Sequence, residues 1–213
     1  MKISPIQYIS SGATAEQHFE NIRQALEQGV DWIQLRLKNA KTAERVALAH
    51  RILDLKKQYA FTLIINDDVE AAVETDADGV HLGLDDMGIA EARRMLHAEK
   101  IIGGTANTLA DVQLRISEGC HYIGLGPLRH TNTKQKLSPI LGFEGYATIL
   151  DALDPAIAPP IFAIGGVEER DIAPLKKIGL YGIALSKHIQ DNFANPHYIV
   201  YLNNLIHEHE TKH

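Results

Sequence analysis

The chain has 213 residues, of which 45% are hydrophobic and 23% charged, with a single cysteine, Cys120. That is the composition of a globular chain of one domain or barely two; the lone thiol excludes an internal disulfide and fits a reducing compartment. With 21 basic against 27 acidic side chains and a formal net charge of −6, the chain lacks the broad basic footprint of a nucleic-acid-binding protein.

Residues 1–16 carry one lysine and no long apolar run, so no signal peptide is expected. The longest uncharged stretch, 192–207, contains Asn, His and Pro, so no membrane span is expected either and a cytoplasmic location follows. Along the chain, short runs rich in Ile, Val and Leu predict eight strands, at 5–10, 32–38, 62–66, 79–83, 100–105, 122–127, 160–166 and 182–186. Helical spacing lies between them. Phe19, Ile22, Ala25 and Leu26 form one stripe, stopped by Gly29. Val46, Ala49 and Leu53 form another, and Ile172 and Leu175 precede a stop at Gly179. The last helix, over 195–209, places Ile199, Leu202 and Ile206 on one face, and the polar tail at 207–213 is expected to fray.

A weak internal repeat supports this pattern. The segment 29–36 resembles 76–83, 119–126 and 179–186, each a helix end, a tight turn and a buried strand. Strands alternating with helices imply a parallel sheet. Eight βα units leave about 27 residues each, which fits a minimal (β/α)8 TIM barrel over 1–213 as a single domain. A doubly wound open sheet is the alternative, but no Gly-rich phosphate turn follows the first strand.

Barrel enzymes work at the carboxyl ends of their strands. On the second strand, period two places Gln34, Arg36 and Lys38 on one face, opposite Ile33, Leu35 and Leu37, and so directs them into the barrel. Those cations need an anion, either barrel carboxylates or a substrate. The third strand delivers Asn66, Asp67 and Asp68, and the fourth delivers His81, Asp85 and Asp86. Carboxylates from adjacent strand ends beside cations suit Mg2+ against a phosphate. Asp68 and Asp85 have the simpler role of helix caps, and His81 reads as a packed barrel histidine. After the sixth strand, 128–141 is the longest loop and carries Thr131, Thr133 and Lys134, a set suited to a lid over a diphosphate or a heterocycle. Gly165-Gly166 and Leu185-Ser186 end the seventh and eighth strands, the usual phosphate pocket of such barrels.

Taken in order, Gln34-x-Arg36-x-Lys38, Asn66-Asp67, Gly79-Val-His-Leu-Gly83 with Asp86, Gly126-Pro127, Thr131-x-Thr133-Lys134, Ala163-Ile-Gly-Gly166 and Ala184-x-Ser186 resemble the thiamine-phosphate synthase family over essentially the full length. The resemblance implies a transferase of thiamine biosynthesis. It would join 4-amino-2-methyl-5-hydroxymethylpyrimidine diphosphate to a thiazole phosphate, carboxylated or not, and release diphosphate through a pyrimidine methylene cation. It implies that Gln34, Arg36, Lys38, Asn66 and Lys134 bind the pyrimidine diphosphate, with Arg36, Lys38 and Lys134 catalytic. Asp67 and Asp86 would hold Mg2+, and Thr105 would touch the pyrimidine. Thr131 and Thr133 would contact the thiazole, with its phosphate on Gly166, Leu185 and Ser186. The partners implied are small molecules, with no nucleic acid and no membrane; the oligomeric state is left open. Leu37, Leu84, Met87, Gly88 and Thr105 depart from the family pattern, Thr105 by replacing a serine while keeping the hydroxyl. A thiazole tautomerase-like branch, which uses a histidine where this chain has Pro127, is the nearest alternative, with His130 nearby. A Schiff-base aldolase using Lys38 or Lys187 and a non-catalytic thiazole phosphate-binding protein complete the alternatives.

Overall fold

The protein is described by a computed structural model covering residues 3–130 and 139–208. Eight parallel strands close into a barrel in chain order: β1 Ile6–Ile9, β2 Trp32–Leu35, β3 Thr62–Asn66, β4 Gly79–Leu82, β5 Ile101–Ala106, β6 Tyr122–Leu125, β7 Ile161–Ile164 and β8 Gly182–Leu185. Closure comes from β8 pairing with β1, where Tyr8 lies beside Leu185. The helices are α1 Ala15–Glu27, α2 Thr42–Asp54, α3 Val69–Thr75, α4 Ile89–Met95, α5 Leu109–Ser117, α6 Gly142–Asp151, α7 Ile172–Lys177, α8 Lys187–Gln190 and α9 Tyr198–His207. The expected TIM barrel is the fold observed.

Alternation builds two cores. Outward residues such as Ile33, Leu35, Leu63 and Ile65 pack against buried helix faces that include Ile22, Ala49, Ala72 and Leu202. Inside the barrel, Trp32, Ile64, Ile101, Tyr122 and Phe162 form a plug. Trp32 meets Tyr122 edge-on at 5.2 Å between ring centroids, and Phe162 lies 5.7 Å from Tyr122. Aromatic edges on faces at these distances add to the burial energy. Gly103 makes room for the plug, since a Cβ there would stand 2.2 Å from the Tyr122 ring.

The repeat has a backbone cause. Gly29, Gly119 and Gly179 all end helices at positive φ, where glycine is unstrained. The fourth copy has Asp76 at the same place, also left-handed at φ 53. Strand 2 is shorter than expected. It ends at Leu35 and not at 38, because the Arg36 N–H turns to the Ser10 hydroxyl (3.0 Å) and Asn39 reverses the chain at φ 58. Arg36 and Lys38 therefore stand on the loop above the barrel, while Leu37 still packs against the outer core. Strand 7 likewise ends at Ile164, before two left-handed glycines. The final helix starts at Tyr198 and buries Ile199, Leu202 and Ile206 as the spacing requires. The frayed tail expected at 207–213 lies outside the described residues from 209 onward. Among the described residues, no helix is long and apolar enough to cross a membrane.

Candidate active site

A cavity of about 660 Å3 opens at the carboxyl ends of the strands. Gln34, Arg36, Lys38, Asn66, Asp67, Asp86 and Thr105 line it together, although they come from four separate strand ends. A second cavity of about 680 Å3 opens at the opposite end, against Pro159, Pro160, Ile178 and Tyr181. Among the described residues its walls carry no cluster of charge, whereas those of the first bring cations and carboxylates together.

The cations and carboxylates face one another. Crowding by protein lowers the proton affinity of both Arg36 and Lys38; for Lys38 the neighbouring Arg36 charge adds to this, while Asp67 opposes it at both. Asp67 is fixed by its backbone, whose N–H donates to the His81 carbonyl (2.8 Å) across the β3–β4 junction at φ 68. Its carboxyl meets that of Asp86. Burial, the hydrogen bond from Asp86 and the Asp86 charge push Asp67 up from near 3.8 to about 6, against the pull of Arg36 and Lys38. Asp86 is itself oriented by the Gly83 N–H, which donates to its Oδ2 (2.6 Å). Two converging carboxylates that resist ionising together are the donor set that a divalent cation relieves. Among the described residues no group of three His, Cys, Asp or Glu side chains is poised for an ion. Mg2+ suits two carboxylates here, because it keeps water and substrate oxygens in its remaining positions.

The neighbouring acids differ in role. Asp68 caps α3, accepting the Ala71 N–H (2.9 Å), and pairs with Arg45 (2.9 Å). Asp85 does not cap the next helix, since Gly88 occupies the N-cap of α4; it lies on the cavity wall. His81 is buried as expected, but it is no bystander. Its Nδ1 lies 3.0 Å from the Tyr122 hydroxyl and its Nε2 lies 3.0 Å from the Thr105 hydroxyl, on the cavity wall. Below it, Gln34 donates to Gln7 (3.2 Å) and Gln7 donates to Tyr122 (3.3 Å). Arg115, also buried, ties the site together by donating to the carbonyls of Thr105 (3.1 Å) and Gly83 (2.9 Å).

Gly166, Leu185 and Ser186 are at the ends of β7 and β8, beside this cavity and not on its wall. Gly165 and Gly166 adopt φ 87 and 69 in succession. Arg129 braces that turn, donating to the Gly166 carbonyl (3.0 Å) and to both Asp171 oxygens. Asp171 also accepts the Glu168 N–H (2.8 Å). Leu185 points into the outer core, so only its backbone is available above the barrel. The Ser186 hydroxyl donates to Ser11 (3.1 Å), closing the β8–β1 side. Thr131, Thr133 and Lys134 lie outside the described residues. His130 is exposed, and the imidazole on the cavity wall is that of His81.

A sequence profile of the family described as thiamine monophosphate synthase matches residues 6–189, a span that takes in all eight strands. The chain belongs to the thiamine monophosphate synthase family. It is 52% identical over 188 residues to a thiamine-phosphate synthase of Flavobacterium johnsoniae, covering 88% of this chain and 89% of that one. A thiamine-phosphate synthase of Bacteroides fragilis is 47% identical across 85% of this chain and 89% of its own length. Among solved structures, thiamine phosphate pyrophosphorylase from Pyrococcus furiosus superposes with a TM-score of 0.79 at 26% identity, over 96% of both chains. Within this member of the family, sequence reasoning missed Gln7, Ser10, Arg115, Tyr122 and the Arg129–Asp171 brace. Each has its partner on a distant element, which only folding supplies.

Proposed function

We propose that this chain is a thiamine-phosphate synthase, a cytoplasmic transferase that joins 4-amino-2-methyl-5-hydroxymethylpyrimidine diphosphate to a thiazole phosphate. The observation that carries this reading is the single cavity in which Arg36, Lys38 and the Asp67–Asp86 pair adjoin Gln34 and Thr105. One half of that wall suits a diphosphate and the other suits a polar flat ring. One barrel domain would carry the whole reaction.

In the reaction the C–O bond between the pyrimidine methylene and the diphosphate breaks, and its electron pair leaves with diphosphate. Arg36 and Lys38 would neutralise that leaving group, with Lys134 assigned the same work by its place in the Thr131-x-Thr133-Lys134 motif. Asp67 and Asp86 would hold Mg2+, which when bound would neutralise further diphosphate charge. Gln34 and Thr105 would hold the pyrimidine while its amino group stabilises the methylene cation. Asn66, buried at the end of β3, would contact the diphosphate side. The thiazole nitrogen then forms the new C–N bond, so no nucleophilic side chain is required. Thr131 and Thr133 would position the thiazole, and its phosphate would rest on the backbone around Gly166, Leu185 and Ser186. Holding both rings in line would supply much of the remaining rate.

The test is direct. Purified protein given both substrates and Mg2+ should form thiamine phosphate and release diphosphate in equal amounts. Folded protein that yields neither would overturn the assignment. Tautomerisation of a thiazole carboxylate phosphate without ring joining would move the chain to the other branch of the family.

A further inference from the structure

The hydrogen bonds beneath the cavity have a direction. Gln7 donates to the Tyr122 oxygen through its amide nitrogen (3.3 Å), and its own carbonyl is occupied by the Gln34 amide (3.2 Å). A phenol oxygen that accepts from the Gln7 amide N–H must send its own proton to a different neighbour, because an amide nitrogen accepts none. The neighbour in reach is His81 Nδ1, at 3.0 Å. That nitrogen must then be the acceptor, which leaves the ring proton on Nε2. From there it points at the Thr105 oxygen, also at 3.0 Å. Having accepted from His81, the Thr105 hydroxyl has its own proton available to donate into the cavity. Gln7 and Tyr122 are buried, and so is His81, so water does not compete for these bonds.

We infer that Gln7, Tyr122 and His81 are positioning residues that lock Thr105 as a hydrogen-bond donor and thereby select a ring nitrogen bearing a lone pair. The inference rests on the pyrimidine reading of the site. Both ring nitrogens of a 4-aminopyrimidine carry lone pairs. In its 4-oxo analogue one of them carries a proton, which would face the Thr105 hydroxyl proton where the amino compound offers it a lone pair. A site with fixed hydrogen-bond polarity rejects the mismatched ring because its buried polar group is left unpaired.

The first experiment needs no substrate. With 15N-labelled histidine in the full-length protein, and His81 assigned by loss of its signal in His81→Gln, the His81 ring should be neutral with its proton on Nε2. In Tyr122→Phe that single tautomer should give way to a mixture. A wild-type ring protonated on Nδ1 would overturn the inference. The second experiment compares kcat/KM for 4-amino-2-methyl-5-hydroxymethylpyrimidine diphosphate and its 4-oxo analogue. Preference for the amino compound should fall at least about tenfold in Tyr122→Phe and in Thr105→Val, and be kept in Thr105→Ser. The double variant Tyr122→Phe/Thr105→Val should discriminate no worse than Thr105→Val alone, because Tyr122 acts through that hydroxyl. Independent, additive losses would refute the relay, as would unchanged discrimination in Tyr122→Phe. If wild-type protein turns over neither pyrimidine, the functional reading fails, while the tautomer still decides the relay.

Discussion

Asp67→Asn separates the chemistry of the carboxylate pair from its structural cost. Asparagine nearly matches aspartate in shape and tolerates the left-handed backbone at φ 68, so the turn after β3 should survive the change. The wild-type carboxyl is pushed from near 3.8 to about 6 by burial and by Asp86. Ionising it in the folded protein therefore costs up to about 3 kcal/mol at neutral pH. Asp67 stands at an exposed rim, and solvent screening reduces that penalty to about 1 kcal/mol. For a raised carboxylate the penalty is complete above the folded pKa and fades as pH falls through it. In EDTA at pH 7.5, urea unfolding should thus find Asp67→Asn as stable as wild type or about 1 kcal/mol more so. The gap should close between about pH 6 and pH 4 as wild-type Asp67 takes up its proton. Diphosphate release should nevertheless fall at least about 100-fold, because on the proposed reading the variant would hold Mg2+ with one carboxylate in place of two. Added Mg2+ should raise the melting temperature of wild type more than that of the variant. A variant destabilised by more than about 1 kcal/mol in EDTA, with turnover reduced only in proportion, would refute this reasoning and make the pair structural.

Arg36→Ala should weaken pyrimidine diphosphate binding by about 10- to 100-fold, the worth of a charge-assisted hydrogen bond, and equilibrium titration at constant Mg2+ would detect it. Asp171→Asn should cost about 1–2 kcal/mol in urea unfolding at pH 7, because it weakens the charge-assisted bonds of a part-exposed Arg129 that still donates to the Gly166 carbonyl. Burial alone would raise the Asp171 carboxyl, but Arg129 and the Glu168 N–H hold it below its usual value; its stabilisation is present above about pH 4 and is lost as pH falls through the folded value. The difference between wild type and Asp171→Asn should therefore vanish in acid. Gly103→Ala should lower stability by about 1–3 kcal/mol, since its methyl would overlap the Tyr122 ring, and an unchanged thermal melt would show that the plug is looser than its geometry. Lys134→Ala should reduce turnover far more than stability, read by diphosphate release against urea unfolding.

The barrel was legible because each unit repeats the same local signals. A strand such as 62–66 is an apolar run closed by Asn66-Asp67-Asp68 and coincides with the observed β3. The helix over 15–27 has its threonine cap, its apolar stripe and its left-handed Gly29 in sequence, so propensity and packing agree. Strand ends were less legible. Arg36 and Lys38 continue the alternation of β2 by residue type, yet a hydroxyl 26 positions earlier captures the Arg36 N–H and ends the ladder. Long-range capture of that kind leaves no mark on local periodicity.

The cavity wall shows the same division. Asp67 and Asp86 stand out in the sequence because carboxylates at adjacent strand ends lie beside the cations at the end of the second strand, Arg36 and Lys38, and the fold brings all four to one cavity. The relay beneath them does not, because Gln7 and Tyr122 are 115 positions apart and each sits in an otherwise apolar strand. Burial turns such isolated polar residues into directional elements, since a buried donor must find an acceptor and then fixes the next group in line. His81 illustrates the consequence. A histidine packed in a barrel and a histidine that orients a substrate contact are the same residue here, distinguished only by what stands on either side of the ring. The net charge of −6 is reconciled in the same way. It describes the long-range field, whereas Arg36 and Lys38 act over a few ångströms at the cavity wall, where two aspartates set the local balance. An acidic protein can therefore present a diphosphate site, provided its cations are held where its own carboxylates would be bridged by metal.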